Sequence, residues 1–320
     1  YDFGREAYFR SIGAVGSIPG SIAAATGPPA SLSLRFFASI DRKRNELTER
    51  IMRAYGGQGG ALAAALVTGK RDLITEPTND ALRAAGVYHI VSVSGLHMVL
   101  AAGAFFWTAR ALLSLWMEMA LRLQVKKIAA MIAMAGATAY CLFTGSDVAT
   151  ERSLIMILVM LGAVLADRPA LSMRNLAISA IVVLLREPET VMGPSFQMSF
   201  AAVAALIAGS EWYQRHRHPP EDGPNDWFSR FTRHIWLAIA GTIATTLLAT
   251  LATAPFAAFH FQRLNPLGLI GNAAALPFVS LIVMPSAVAG TLLWPLGLDG
   301  PVWWLMGAGA APVIGISKTI

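Results

Sequence analysis

"VYHIVSVSGLHMVLAAGAFFW", residues 87–107, is apolar over most of its length, yet it contains two histidines and two serines. A run of about 20 apolar residues is the length that an α-helix needs to cross a bilayer. Polar side chains inside such a run cost free energy unless they contact other helices or water. The stretch therefore predicts a membrane helix whose polar side chains serve either helix packing or a wet passage.

The composition of the whole chain agrees with a membrane location. Of its 320 residues, 55% are hydrophobic and only 14% are charged, whereas about 25% of residues are charged in soluble domains. The mean hydropathy is +0.54. A single cysteine, Cys141, excludes a disulfide framework within the chain and a cysteine-based zinc site.

Apolar runs continue to the end of the sequence and predict an all-α polytopic membrane protein with about seven to ten membrane helices. Several runs are shorter than the ~20 residues that a helix needs to span alone. Short or broken helices are tolerated at membrane depth where protein or a water-filled cavity surrounds them, which favours an interior passage. The predicted spans are 87–108, 128–145, 153–166, 175–185, 195–209, 235–257, 266–298 and 301–317.

The first 86 residues mix polar and apolar residues and are predicted to lie outside the membrane or on its surface. We interpret residues 1–20 as the last strand of a β module or as an interfacial piece. Within 21–86, apolar residues recur at helical spacing from Leu34 to Ala54, which predicts an amphipathic helix. Residues 87–320 would form the membrane domain. Because the sequence opens on Tyr1 and closes just after an apolar run, we expect it to be a piece of a longer chain.

Lys and Arg residues are unevenly distributed between alternate loops of the membrane domain. Ten lie in one set of loops, 109–127, 167–174 and 210–234, and three lie in the other set, 145–152, 186–194 and 258–265. Cytoplasmic loops are enriched in Lys and Arg, so the first set is predicted to face the cytoplasm. Alternation then places residues 1–86 on the outer side. Their basic residues could attract polyanions or anionic lipid there.

Ser94 and His97 are three residues apart and would share one helix face. His89 lies two turns earlier, too far to bind the same metal ion on a continuous helix. No cysteine or carboxylate lies nearby in the sequence, and the G-x-S-x-G form of a nucleophile elbow is absent. We therefore predict no metal, no cofactor and no catalytic residue. Hydrogen bonding between packed helices and lining of a polar passage both stay open as roles.

Together with the residues before it, the opening stretch resembles the hallmark segment of the ComEC competence proteins. Leu82, Arg83 and Gly86 precede a Ser-Gly-Leu-His sequence that begins at Ser94. Other segments match the family in the same order, with Glu187 standing where Asn is common. They are LAAALVTGKRDLI (62–74), ERSLIMI (151–157), REPETVMGPSFQMSF (186–200) and the stretch from Thr253 to Pro285. The resemblance extends from about residue 57 to about residue 290.

This resemblance implies a channel in the bacterial cytoplasmic membrane that carries single-stranded DNA inward during natural transformation. The implied partners are single-stranded DNA, membrane lipid, a separate cytoplasmic motor and an external DNA receptor. Residues 1–20 would be the trailing edge of an external OB-like domain. The His-x-His-x-Asp-His zinc signature of the metallo-β-lactamase-like domain in many relatives is absent, since the nearest string, 216–222, lacks its spacing. We therefore expect no hydrolase chemistry.

The family-motif and candidate path-lining residues are Arg71, Arg83, Ser94, Gly95, His97, Arg152, Gln197, Ser199, Thr253, Pro255 and Asn272. An arginine such as Arg152 at a membrane boundary costs several kcal/mol unless it is paired or wetted. A lipid phosphate, Glu151 or Asp147 could pair with it. A threonine stripe at 242, 246, 250 and 253 shares one helix face, and we expect it mainly to bond its own helix or to pack.

The alternative function is a secondary transporter of small solutes or lipids built on broken membrane helices. The sequence contains no G-x-x-x-x-G-K-[ST] phosphate loop, so any motor must be a separate protein. The sequence does not determine the oligomeric state.

Overall fold

The computed structural model describes residues 3–9, 12–14, 16, 31–91, 93–115, 124–216, 227–262 and 267–319. Within these ranges the chain forms α-helices and short 3-10 or π turns, without a β-strand. Several of the helices are long and apolar, and many helices that are neighbours in the chain also pack against each other. The predicted all-α polytopic membrane protein is confirmed.

The helices of the described ranges are numbered in chain order. Their bounds are α1 Phe3–Phe9, α2 Leu32–Ala54, α3 Gly57–Thr68, α4 Glu76–Ala84, α5 Gly95–Ser114, α6 Val125–Thr144, α7 Val148–Leu165, α8 Met173–Arg186, α9 Pro194–His216, α10 Trp227–Phe261, α11 Gly268–Phe278, α12 Met284–Leu293 and α13 Gly300–Thr319.

Five helical segments of the described chain are long and apolar enough to cross a membrane by length and composition. They are Gly95–Ser114, Val125–Thr144, Val148–Leu165, Ala240–Phe261 and Ile270–Leu296. Helix α8 has 14 residues and is therefore about 21 Å long, shorter than the ~30 Å hydrocarbon core. Helix α9 has 23 residues and extends beyond the predicted 195–209. Both helices are thus longer than their predicted spans, 195–209 for α9 and 175–185 for α8, but α8 is still too short to cross alone.

The helix predicted over 87–108 begins only at Gly95, so that prediction was wrong at its N-terminal end. Tyr88–Ile90 form a single 3-10 turn that follows Gly86, whose φ is +70°. Ser94 has extended backbone angles and occupies the N-cap of α5. Because serine at an N-cap favours a helix start, the polar residues of this stretch lie at the beginning of α5 and not in its middle.

The N-terminal residues that the structure describes are helical. Phe3–Phe9 form a short helix where a strand was one of our two interpretations. Their assignment to an OB-like domain stays a prediction, and so does the division at residues 20 and 86. Helix α2 is amphipathic as expected: Leu47, Thr48 and Ile51 are buried, and its N-terminal half is largely exposed.

Helix α3 lies buried between α2 and α13, although it belongs to the part of the chain expected at the membrane surface. Its sequence is almost entirely Gly, Ala and other small or apolar residues, and nearly all of it is buried. A Cβ atom at Gly59 would lie 3.0 Å from the Gly307 carbonyl oxygen of α13. Small residues therefore let the two helix backbones approach closely, as in membrane helix pairs.

A buried ion pair fixes the turn before α13 to α2. Both oxygens of the fully buried Asp299 accept hydrogen bonds from Arg50, at 2.6 Å each, and one also accepts from Trp303 Nε1 at 2.6 Å. Burial raises the pKa of the Asp299 carboxyl, but these hydrogen bonds outweigh burial and hold the pKa below its ordinary value. The carboxylate is therefore ionised in the folded protein.

We predict that Asp299→Ala lowers the free energy of unfolding by about 2 kcal/mol, because the buried Trp303 N–H is left without an acceptor. Since the folded-state pKa is depressed, the stabilisation by Asp299 is present above its unfolded pKa and is lost as the pH falls through the folded one. Thermal unfolding in detergent, followed between pH 3 and pH 7, measures both effects. The control is Asp72→Ala at an exposed site, and equal stability of the two variants would contradict the assigned pair.

Candidate functional site

The start of α7 brings together several residues that the sequence singled out. Asp147 is the N-cap of α7 and accepts from the Val148 N–H at 2.9 Å. Arg71, in the turn after α3, donates to the Asp147 carboxylate at 3.0 Å. Arg152 follows within the second turn of α7. The family-motif arginines from residues 71 and 152 thus lie at the same end of one membrane helix.

Arg152 is a buried cation that none of the described carboxylates neutralises directly. Its side chain is almost inaccessible, at 6% exposure. One terminal nitrogen donates to Ser199 Oγ on α9 at 3.0 Å, and Nε has no hydrogen-bond partner in the described chain. The two carboxylates proposed as its partners bind other arginines: Asp147 binds Arg71, and Glu151 binds Arg186 at 2.7 Å. The predicted salt bridge to either residue is wrong.

A polar pocket of about 380 Å³ lies beside the Arg71–Asp147 pair and is called here the Arg44–Arg71 pocket. It lies where the turn after α3 meets the turn between α6 and α7. Its polar lining consists of Arg44, Arg71, Thr144, Ser146, Asp147 and Thr150. Arg44 links the two turns by hydrogen bonds, since it donates to the carbonyl oxygens of Thr68 at 2.8 Å and Thr144 at 3.3 Å.

The stretch before α5 is attached to the same end of α7. Thr150 is fully buried and donates from Oγ1 to the Val93 carbonyl oxygen at 3.2 Å. A Cβ atom at Gly95 would lie 3.3 Å from Ser153 Oγ. The glycine therefore permits a close approach between the start of α5 and α7, which accounts for a small residue after Ser94.

The buried His97 ring completes a capping interaction at the start of α5. Its Nδ1 accepts from the Ser94 backbone N–H at 3.0 Å and lies 2.9 Å from Ser94 Oγ. We infer from this acceptor role that the neutral ring carries its proton on Nε2. That Nε2 is buried and has no hydrogen-bond partner among the described residues. His97 thus has one structural nitrogen and one nitrogen free for another contact.

Gln197 and Thr253 have protein partners for their polar groups. The Gln197 amide donates to the Val191 carbonyl oxygen at 3.0 Å, and its oxygen lies 2.8 Å from His260 Nε2 on α10. Gln197 therefore links α9 and α10. Thr253 donates to the Ala249 carbonyl oxygen at 2.8 Å, and Thr246 to that of Thr242 at 2.7 Å. The expectation that the threonine stripe bonds its own helix is confirmed at these two positions.

The three remaining candidates lie apart from α7. Arg83 on α4 binds Glu76 and Asp80 at 2.7 and 2.8 Å, and hydrogen bonding to Glu76 raises the pKa of Arg83. Pro255 lies inside α10, six residues before its last residue, Phe261. Asn272 lies in α11, and its buried Oδ1 has no hydrogen-bond partner in the described chain. The sequence motifs thus occupy several places in the fold.

Sequence reasoning did not single out Arg44 as a pocket-lining residue, because it lies among other charged residues on the amphipathic helix α2. Only its contacts with two distant turns distinguish it from Arg42 and Lys43. Thr150 was missed for a similar reason, since threonine in an apolar helix is a weak signal. Across the part of the chain that the structure describes, no group of three His, Cys, Asp or Glu side chains could hold a metal ion. Residues 217–222 of the histidine-containing string lie outside the described residues.

Three buried side-chain nitrogen or oxygen atoms lack a hydrogen-bond partner within the described ranges: His97 Nε2, Arg152 Nε and Asn272 Oδ1. All three belong to residues that the sequence had selected. Leaving a buried polar group unpaired costs about 1 to 3 kcal/mol, and more for a charged group. Such atoms are rare in native proteins, and each calls for water, an ion or a ligand as partner.

Gly69 is required at the contact between the two turns of the pocket. Its φ is +74°, and a Cβ atom there would lie 2.1 Å from the Thr144 carbonyl oxygen. We predict that Gly69→Ala destabilises the protein by about 2 kcal/mol, through backbone strain and displacement of the α6–α7 turn. Thermal unfolding in detergent measures this loss.

The matched control for this prediction is Gly162→Ala in α7. A Cβ atom there meets nothing within 4 Å, so this variant should keep or gain stability, by up to about 1 kcal/mol from helix propensity. Equal stability of the two variants would show that the turns do not meet as described.

Comparison with known proteins assigns the family. The profile described as "Competence protein" matches residues 66–320. The chain is 25% identical over 236 residues to "ComE operon protein 3" of Bacillus subtilis (strain 168), covering 73% of this chain and 26% of that protein. It is 28% identical over 260 residues to "Competence protein ComA" of Neisseria gonorrhoeae, covering 80% of this chain and 34% of that protein.

A further relative, "Uncharacterized protein YcaI" of Escherichia coli (strain K12), is 24% identical over 257 residues, which cover 77% of this chain and 31% of that protein. The chain thus spans about a quarter to a third of the length of these curated relatives. No solved structure matches it. Because the family profile covers most of the chain, including the Arg71, His97, Arg152 and Asn272 segments, this protein belongs to the competence protein family.

Proposed function

We propose that this chain forms the channel through which single-stranded DNA crosses the bacterial cytoplasmic membrane during natural transformation. Membership of the competence family supports a role in DNA uptake. Five apolar segments of spanning length supply a membrane scaffold. The chain spans only part of the curated relatives named above. We propose an external DNA receptor and a cytoplasmic motor as separate partners. We assign the chain itself the role of conduit, without hydrolase chemistry.

The observation that carries this proposal is a set of polar atoms, on His97, Arg152 and Asn272, that have no hydrogen-bond partner among the described residues. A single strand brings about one negative charge per nucleotide, so it can cross the hydrocarbon region only along a wet path with cationic or hydrogen-bonding walls. Arg152 supplies a cation, His97 a hydrogen-bond donor and Asn272 an acceptor. These are the groups that a hydrated polyanion and its bases require.

Arg152 is the charged member of this set and the most costly one to bury. An arginine at membrane depth costs about 3 kcal/mol on insertion scales, unless an anion or water compensates it. Its neighbouring carboxylates already bind Arg71 and Arg186, so the Arg152 charge is available to a passing phosphate. Ser199 holds one side of the guanidinium and leaves Nε unpaired. The arrangement suits transient phosphate contact, since a channel must bind its substrate weakly enough to release it.

We predict that Arg152→Gln reduces uptake of labelled DNA into the cytoplasm of competent cells by about 100-fold, the equivalent of roughly 3 kcal/mol. DNA bound outside the cell should be unchanged. Uptake is measured as nuclease-protected label at matched levels of membrane-inserted protein.

The control for Arg152 is Arg174→Gln, because Arg174 is an exposed arginine near the start of α8. Ser199→Ala provides a second variant with a smaller expected loss, since it removes only the hydroxyl that orients Arg152. If the Arg152→Gln variant is inserted in the membrane and DNA uptake stays at the wild-type level, Arg152 does not line the path. Unchanged uptake in a strain that lacks the gene would end the DNA channel proposal and favour a solute transporter.

The charge distribution between loops predicts that residues 210–234 face the cytoplasm. Cysteine introduced at Ser229 should therefore escape an impermeant maleimide on intact cells and react after permeabilisation. The native Cys141 is buried, so it contributes little background. Cysteine at the exposed Asp72 is the control for the outer side and should react on intact cells. Labelling of the Ser229 position in intact cells would reverse the predicted orientation.

A further inference from the structure

We infer that the Arg44–Arg71 pocket is a phosphodiester-binding site at the outer mouth of the channel, in which Asp147 occupies the place of the phosphate until DNA arrives. This inference rests on the proposed function and specifies where the strand first contacts the membrane domain. Neither the family profile nor the relatives' names assign this pocket.

The shape and chemistry of the pocket suit one or two phosphate groups. Its volume of about 380 Å³ is enough for a short segment of sugar-phosphate backbone. The arginines approach it from different elements, Arg44 from α2 and Arg71 from the turn after α3. Arginine is the side chain best suited to phosphate, because its planar fork offers several N–H donors.

Asp147 is the one carboxylate among the lining residues. It binds Arg71 across the pocket at 3.0 Å, and both side chains remain partly exposed, by 39% for Arg71 and 54% for Asp147. A partly exposed ion pair is worth at most about 1 kcal/mol, so an incoming phosphate can displace the carboxylate. Asp147 therefore competes with DNA for Arg71.

Arg44 has a different position in the pocket. It is held by the carbonyl oxygens of Thr68 and Thr144, and its second terminal nitrogen lies 3.5 Å from the half-exposed Asp41. Carbonyl oxygens orient the guanidinium without neutralising it. Asp41 in turn also lies 3.1 Å from Lys70. Arg44, which also pairs with Asp41, thus keeps a fixed position in the pocket, whereas Arg71 is the arginine that can change partner.

The pocket adjoins the Arg152 region. Val148, in the first turn of α7, lines both the Arg44–Arg71 pocket and a small pocket beside Arg152. Val148 precedes Arg152 by one helix turn, so the two pockets are neighbours along α7. This proximity gives the phosphate a second cation to reach after the first.

The test is binding of a fluorescent 20-nucleotide oligo-dT to the purified chain in detergent, measured by anisotropy at several salt concentrations. We expect Arg71→Gln to weaken binding about 10-fold and to reduce the salt slope by about 0.7, the value for one phosphate contact on a single strand. We expect Asp147→Asn to tighten binding several-fold, because the competing charge is gone. Asparagine is as good an N-cap as aspartate, so α7 keeps its start.

The expected changes in oligo-dT affinity have opposite signs, weaker for Arg71→Gln and tighter for Asp147→Asn. This difference distinguishes a role in DNA binding from a role in holding the fold. If the Arg71–Asp147 pair only held the fold, both variants would lose affinity together, and that result would overturn the inference. The control is Arg53→Gln on α2, an exposed arginine that does not line the pocket and should leave binding unchanged. Wild-type affinity in Arg71→Gln would also overturn the inference.

Two further ligands identify the anion that the pocket binds, and a cellular comparison tests the pocket separately from the proposed function. An oligomer of the same length with a neutral methylphosphonate backbone should bind much more weakly, since the pocket recognises charge. Dihexanoylphosphatidylglycerol should not displace oligo-dT; full displacement through Arg71 would identify a lipid headgroup as the occupant and overturn the DNA assignment. If cells that carry Arg71→Gln take up DNA normally, the pocket proposal is discarded and the channel proposal is kept. If cells that lack the whole gene take up DNA normally, the channel proposal is discarded.

Discussion

Helix α3 can be buried between α2 and α13 because its side chains are small, and the positions of the functional residues depend on that burial. The backbones approach so closely at Gly59 and Gly307 that larger side chains would separate the helices. The ion pair of Arg50 with Asp299 fixes α2 to the beginning of α13 at the same junction. The N-terminal part of the chain thereby becomes part of the membrane domain's core, and the turn after α3 is carried to the end of α7.

At the end of α7, charge pairing is incomplete. Around the first turns of the helix, Asp147 binds Arg71 and Glu151 binds Arg186, and Glu187 lies 3.7 Å from the same Arg186. Among the residues that the structure describes, Arg152 has only the Ser199 hydroxyl as a hydrogen-bond partner, and it is buried. A fold selected for stability alone would not retain such a group, because an unpaired buried cation costs several kcal/mol. Its retention is understandable if the compensating anion is a substrate that comes and goes.

The C-terminal membrane segment is not one regular helix. Helices α11 and α12 are joined by a π turn over Val279–Val283, between Pro277 and Pro285. Neighbouring helices can satisfy the backbone groups that proline releases, which permits such breaks at membrane depth. Asn272, with its unpartnered oxygen, lies before this break. Irregular backbone and one polar atom without a partner among the described residues thus occur in the same membrane segment, a combination that is common at functional sites.

The sequence by itself determined the helical membrane class and a set of candidate residues that includes the three with unpaired polar atoms in the described chain. Apolar length and composition are properties of the chain alone, and His97, Arg152 and Asn272 stand out wherever they lie in apolar runs. The start of the first membrane helix was not determined by the sequence, because serine occurs both inside membrane helices and at N-caps, and only the structure places Ser94 at the N-cap of α5. Only the tertiary structure decided that Asp147 and Glu151 bind other arginines, that Gln197 is engaged by His260, and that Arg44 joins Arg71 in one pocket. These contacts join residues far apart in the chain, and the packing of α2, α3 and α13 that creates them depends on backbone approach distances that no local pattern encodes.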